Sequence, residues 1–139
     1  MFNHVSSQRK VPEELVQIGK AQINEVLMGV SGVHFVMLCS SDGFELATVY
    51  KKEIQNRSKI AAVSSSILAM VAAFINEIKL DGCQTITLDA ENGKVVLSTV
   101  STANHPMIIV TMSAKDVLLG SLLHAVKRAS ENIAKADQP

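Results

Sequence analysis

The residues of this 139-residue chain that could do chemistry are four histidines, two cysteines and scattered serines and carboxylates. A nucleophilic cysteine needs a neighbouring base and an electropositive setting. Cys39 and Cys83 each stand inside an apolar run, the setting of a buried structural thiol. His4, His34, His105 and His124 lie far apart in the chain, and none has a second ligand at metal-site spacing. His105, in a loop, and His124, on a helix, are expected to be solvated. The chain has no GxxxxGK[ST] or GxGxxG phosphate cradle and no GxSxG nucleophile elbow. The expectation is therefore a protein that is not an enzyme, with no catalytic, cofactor-binding or metal-binding residues.

Composition narrows the remaining classes. Thirteen Lys and Arg balance thirteen Asp and Glu, so no global field draws in a phosphate backbone, and a nucleic-acid partner is disfavoured. Hydrophobic residues make up 47% and charged residues 19%, which excludes disorder for most of the chain. So low a charge fraction also points to more apolar surface than a soluble monomer keeps. Two cysteines without a CxxC pair suit a reducing cytoplasm. The N-terminus, MFNHVSSQRKVPEE, is polar and lacks an apolar stretch of signal-peptide length. The uncharged stretch IAAVSSSILAMVAAFI, Ile60 to Ile75, falls short of the roughly 20 residues of a span. It reads as a buried helix, and no membrane insertion is expected.

The elements follow from periodicity and punctuation. Residues 1–12 read as a flexible N-terminal tail and 13–136 as one domain. Pro12, Glu13 and Glu14 suit a helix start, and Leu15, Ile18, Ile23, Val26 and Leu27 carry helix one to Gly29. Val33 to Cys39 is a strand apolar on both faces, and Asp42-Gly43 turns it into a partner strand, Phe44 to Tyr50. Helix two runs from Asn56 to Lys79 and stops at Asp81-Gly82. Cys83 to Asp89, an Asn92-Gly93 turn and Lys94 to Val100 form a second hairpin. Ser101 to His105 is a loop, and Met107 to Met112 is a last apolar strand. Helix three is expected to start at Ser113, with Asp116 completing a capping box. Its apolar face holds Val117, Leu118, Leu122, Leu123, Val126, Ala129 and Ile133. Gly19 and Gly120 suggest a close approach of helices one and three.

The order is α-β-β-α-β-β-β-α, an α/β chain with a five-stranded, antiparallel-rich sheet. Doubly apolar strands belong at the centre and the more polar Phe44–Tyr50 and Cys83–Asp89 at the edges, which gives the strand order 2-1-5-4-3. Helix two should cover one face and helices one and three the other. Helix two is apolar or small all round, so it should be buried all round. Ile60, Val63, Ile67, Met70, Phe74 and Ile78 form a stripe expected to cover the sheet. Ala61, Ser65, Leu68, Ala72 and Ile75 form a second, and Ala62, Ser66, Ala69 and Ala73 a third. One sheet covers one face, so the rest need another chain.

This pattern resembles the Roadblock/LC7 family from Glu13 to Lys135. The resemblance is carried by GVHFVMLCSSDGFELA, the small-residue helix IAAVSSSILAMVAAF, the hairpin QTITLDAENGKVVLSTV, and Leu119-Gly120 near the start of the final helix. It looks closer to bacterial members than to dynein light chains. The resemblance implies a homodimer that regulates or scaffolds a Ras-like small GTPase, modulating hydrolysis or exchange, and that dimerises through the second helix and the third-strand edge. Pairing of the bare Cys83–Asp89 edge with its own copy would bring two second helices together. The expected dimer interface is therefore Ala61, Ser65, Leu68, Ala72, Ile75, Cys83, Thr85 and Thr87. Candidate GTPase contacts are Arg57, Lys59, Ala62, Ser66 and Ala69. An arginine can complete a GTPase site, but solvation at a helix end is the better reading of Arg57, and that role is not assigned to it. The competing readings are an adaptor in a motility, polarity or signalling complex with no nucleotide effect, and a small-molecule sensor. For the sensor the sequence offers no convergent polar groups.

Overall fold

The computed structural model describes residues 10–100 and 104–137. The rest of the expected tail, His4 included, and Ser101, Thr102 and Ala103 of the expected loop lie outside the described residues. The elements are α1 (Glu13–Gly29), β1 (Val33–Ser40), β2 (Glu45–Tyr50), α2 (Arg57–Glu77), β3 (Thr85–Ala90), β4 (Gly93–Val100), β5 (Met107–Ser113) and α3 (Leu119–Ala136). The five strands form one sheet in the order β2-β1-β5-β4-β3, and every neighbouring pair is antiparallel.

Strand alternation divides the core into two layers. Val36, Leu38, Val96 and Ile109 face α1 and α3, where Ile23, Val26, Leu122, Val126 and Ile133 meet them. Phe35, Met37, Cys39, Leu97, Ile108 and Val110 face the other way, toward Ala61 of α2. β1 and β5 supply both layers, which is why each reads as a continuous apolar run.

Several expectations are corrected. Val11, expected in the flexible tail, is buried in the α1–α3 layer. α3 begins at Leu119, not Ser113. Ser113 stays in β5, paired with Lys94, and its hydroxyl donates to the Ala114 carbonyl at 3.1 Å instead of capping a helix. Pairing on both sides of β5 outweighs a local capping signal. Leu118 consequently precedes the helix and is exposed. A Cβ on Gly120 would meet nothing within 4 Å, so that glycine marks no helix contact. A Cβ on Gly19 would overlap Leu38 Cδ2; there α1 lies close on the sheet itself.

The second hairpin turns through Glu91 and Asn92, and Ala90 pairs with Gly93. Neither turn residue has a positive φ. Gly93 is instead required by space, because a Cβ there would lie 2.9 Å from the Ser113 carbonyl oxygen. α2 ends before Asp81-Gly82: Lys79 takes the left-handed conformation at φ 61°, and the Leu80 N–H closes on the Ile75 carbonyl at 3.0 Å.

Candidate interaction surface

The two sheet edges differ. On β2, Leu46 is an extra residue, because Leu38 pairs with Ala47 and Cys39 with Glu45, and such a bulge disfavours strand addition. The Glu45 carboxylate holds Arg57 Nε at 3.1 Å and accepts a hydrogen bond from Thr48. β3 has neither protection. Five of its six residues are exposed and Ile86 is half-buried. Its one charge, Asp89, lies near its end, where Lys94 Nζ at 2.8 Å and Lys115 Nζ bind it. Hydrogen bonds from Lys115 and then Lys94 pull the Asp89 carboxyl down to about 2.

α2 departs from the expected orientation mainly in its second half, where no residue is buried. Ala61 and Ser64 are its buried residues, and Ile60, Ile67 and Leu68 pack half-buried on the sheet. Val63, Met70, Phe74 and Ile78 are exposed, Met70 to 66% and Phe74 to 60%. The stripe assigned to a second copy thus partly faces the chain's own sheet, and of the stripe assigned to the sheet Ile60, Val63 and Ile67 border it while Met70, Phe74 and Ile78 face outward. The first half of α2 lies close on the β1–β2 turn. A Cβ on Gly43, whose φ is +95°, would stand 3.0 Å from Ala62 Cα and 3.3 Å from Ser65 Cβ. Small residues here serve contact within one chain.

Between α2 and the β3 side of the sheet lies an apolar cleft of about 390 Å³, lined by Ile60, Val63 and Ile67 of the helix and Leu88, Leu97 and Val110 of the sheet. Leu88 is itself 43% exposed on the bare edge strand. Val63, Met70, Phe74, Ile78 and Leu88 are therefore the surface residues that the sequence reading missed. The stripe was visible in the sequence, but which of its residues the sheet leaves in solvent was not.

Among the expected interface residues, Ala61 is fully buried and Leu68 and Ile75 are half-buried. Ser65 is half-buried, its hydroxyl donating to the Ser41 carbonyl at 2.6 Å. Ala72 is exposed, as are Thr85 and Thr87 on β3. Cys83 precedes β3 and is half-buried. Lys59, Ala62, Ser66 and Ala69 lie exposed on α2. Arg57 is held by Glu45 and stands 4.0 Å from Glu53.

Burial pushes the Cys39 thiol up to about 12, with the Glu45 charge adding to it. His34 is held below its usual value by burial and then by Lys52, and its Nδ1 has no hydrogen-bond partner among the described residues. His105 is not simply solvated: it bonds Asp137, which is 6% exposed. No cluster of three or more His, Cys, Asp or Glu suited to a metal occurs among the described residues. α2 is long and apolar enough to cross a membrane by length and composition, with a mean hydropathy of 1.8; here it lies along the sheet through Ala61 and Ser64.

The sequence profile of the Roadblock/LC7 domain matches residues 21–113. No curated protein sequence matches the chain. Among solved structures, the gliding protein MglB from Thermus thermophilus superposes with a TM-score of 0.79 at 17% identity, over 90% of this chain and 92% of that one. A structure described as MglB with a tetrameric arrangement superposes with a TM-score of 0.79 at 17% identity, over 90% and 91% of the two chains. Myxococcus xanthus MglB superposes with a TM-score of 0.73 at 10% identity, over 91% and 97%.

Proposed function

Because the chain belongs to the Roadblock/LC7 domain family, we propose that it is a non-enzymatic homodimer that binds a Ras-like small GTPase and modulates its GTP hydrolysis or exchange. The observation that carries this reading is α2: a 21-residue helix with large apolar side chains in solvent, beside a bare strand edge. Antiparallel pairing of two β3 strands about a two-fold axis extends the sheet. The same axis brings Val63, Met70, Phe74 and Ile78 of each copy toward the cleft beside Leu88 and takes them out of water. At about 25 cal/mol per Å² of apolar area, covering such a surface is a strong drive to associate. The tetrameric arrangement described for one MglB structure is consistent with self-association in this fold.

The GTPase keeps its own nucleotide and Mg²⁺ in this reading. Lys59, Ala62, Ser66 and Ala69 give it a shallow platform on the exposed side of α2, and small side chains let a switch region approach closely. Arg57 contributes charge near Glu45 without being a catalytic residue. The protein works in the cytoplasm, where the unbridged Cys39 and Cys83 stay reduced.

The test has two arms. Sedimentation equilibrium at micromolar concentration should give twice the 14.9 kDa chain mass. Each Ras-like GTPase of the organism that encodes the chain, purified and loaded with GTP, is then assayed with and without the protein. A changed hydrolysis or exchange rate supports regulation. Stable binding with unchanged turnover supports the adaptor reading, and binding to none of them rejects a GTPase partner.

A further inference from the structure

We propose that the β1–β2 turn, residues 41–43, is a clasp that sets the rotation of α2 about its own axis, with Ser65 as the positioning residue. The inference rests on the reading above that α2 is the contact helix, and adds what decides which stripe it presents.

Apolar packing alone selects this rotation weakly. Ala61 is buried on the sheet and Ile60, Ile67 and Leu68 pack half-buried there, but α2 is apolar or small on every side and beyond Ser64 no residue of the helix is buried. A turn of about 100°, one residue's worth, would exchange the stripe on the sheet for a neighbouring one. Directional contacts lie at the helix start, where Glu45 holds Arg57 Nε at 3.1 Å, and at the turn. Ser65 Oγ donates to the Ser41 carbonyl at 2.6 Å. Gly43 fits against Ala62 and Ser65 because it has no Cβ.

The turn is itself rigid enough to act as the fixed part. The Ser41 N–H donates to the Pro106 carbonyl at 3.0 Å, the Gly43 N–H to the Ser40 carbonyl at 3.0 Å, and the Ser40 N–H to the Phe44 carbonyl at 2.8 Å. The Phe44 N–H donates to Ser40 Oγ at 3.1 Å. The Ser41 carbonyl is thus aimed by hydrogen bonds to Ser40 of β1 and to Phe44 and Pro106, the residues just before β2 and β5. With α2 held there, Met70 and Phe74 stand in solvent for a second copy and Ser66 and Ala69 are exposed beside them.

Ser65→Ala removes the hydroxyl, Ser65→Thr keeps it, and Gly43→Ala fills the seat at a positive φ. Sedimentation equilibrium and hydrogen exchange are read on each full-length protein. Ser65→Ala and Gly43→Ala should weaken the dimer about five-fold or more and quicken exchange of α2 amides, with β1, β4 and β5 amides unchanged. Ser65→Thr should restore both. Wild-type affinity and wild-type α2 exchange in Ser65→Ala would overturn the clasp. If the wild-type chain is a monomer, the dimer reading falls, and the exchange measurement alone still decides the clasp: faster α2 exchange supports it, unchanged exchange overturns it.

Discussion

His105 Nδ1 lies 2.7 Å from Asp137 Oδ1, and the His105 backbone N–H donates to Asp137 Oδ2 at 2.9 Å. One carboxylate at the end of α3 therefore holds the segment entering β5 through two hydrogen bonds. Asn104 Nδ2 adds a third tie, donating to the Asp137 backbone carbonyl at 2.7 Å. Hydrogen bonds to a charged, buried group contribute about 1.5–3 kcal/mol. Asp137→Ala should cost about 2–3 kcal/mol in urea unfolding, and a loss below about 0.5 kcal/mol would mean that the contact is not stabilising.

The two cysteines should separate cleanly. Cys39 is fully buried in β1 and its thiol is pushed up to about 12, whereas Cys83 is half-buried beside the edge strand. An aromatic disulfide reagent should modify Cys83 in the native protein and reach Cys39 on unfolding. The sign for stability follows: the folded state keeps the Cys39 proton that the unfolded chain loses above about 9, so stability falls as pH rises past that value. Cys39→Ala should flatten that alkaline loss.

His34 acts at the other end of the scale. Burial and Lys52 lower its pKa below 6.5, so the unfolded chain binds a proton first as pH falls. Stability should therefore decline as pH drops below about 6.5, until the folded state also protonates. His34→Gln should reduce the slope of unfolding free energy between about pH 7 and 5; an unchanged slope would assign the loss to other groups.

The two helical glycines should behave oppositely. A Cβ at Gly19 overlaps Leu38 Cδ2, whereas one at Gly120 meets nothing within 4 Å. Gly120→Ala should be neutral or stabilising by up to about 1 kcal/mol through helix propensity. Gly19→Val should destabilise by about 1–3 kcal/mol through overpacking. Equal melting temperatures for the two variants would contradict this assignment.

Strand order was legible in the sequence because polarity reports burial directly: Val33–Cys39 and Met107–Met112 are apolar on both faces and lie central, with the more polar strands outside. Helix boundaries were less so. Ser113 and Asp116 mimic a cap, and pairing of Ser113 with Val33 and Lys94 across the sheet overrides it. The contact surface was half legible. That α2 has more apolar side chains than one sheet can cover is plain from its residues. Which of them the sheet leaves in solvent is not. Helical spacing leaves Leu68 and Phe74 equally eligible, and the structure separates them.

That separation gives the most direct test of the central claim, that the exposed face of α2 and the β3 edge meet a second copy. Phe74 is 60% exposed, so Phe74→Glu should leave the protomer folded, while Leu68 packs on the sheet. In sedimentation equilibrium at micromolar concentration, wild type should give twice the 14.9 kDa chain mass, and Phe74→Glu should give a single chain with native circular dichroism. A wild-type mass of one chain, or a Phe74→Glu protein as dimeric as wild type, would contradict the account.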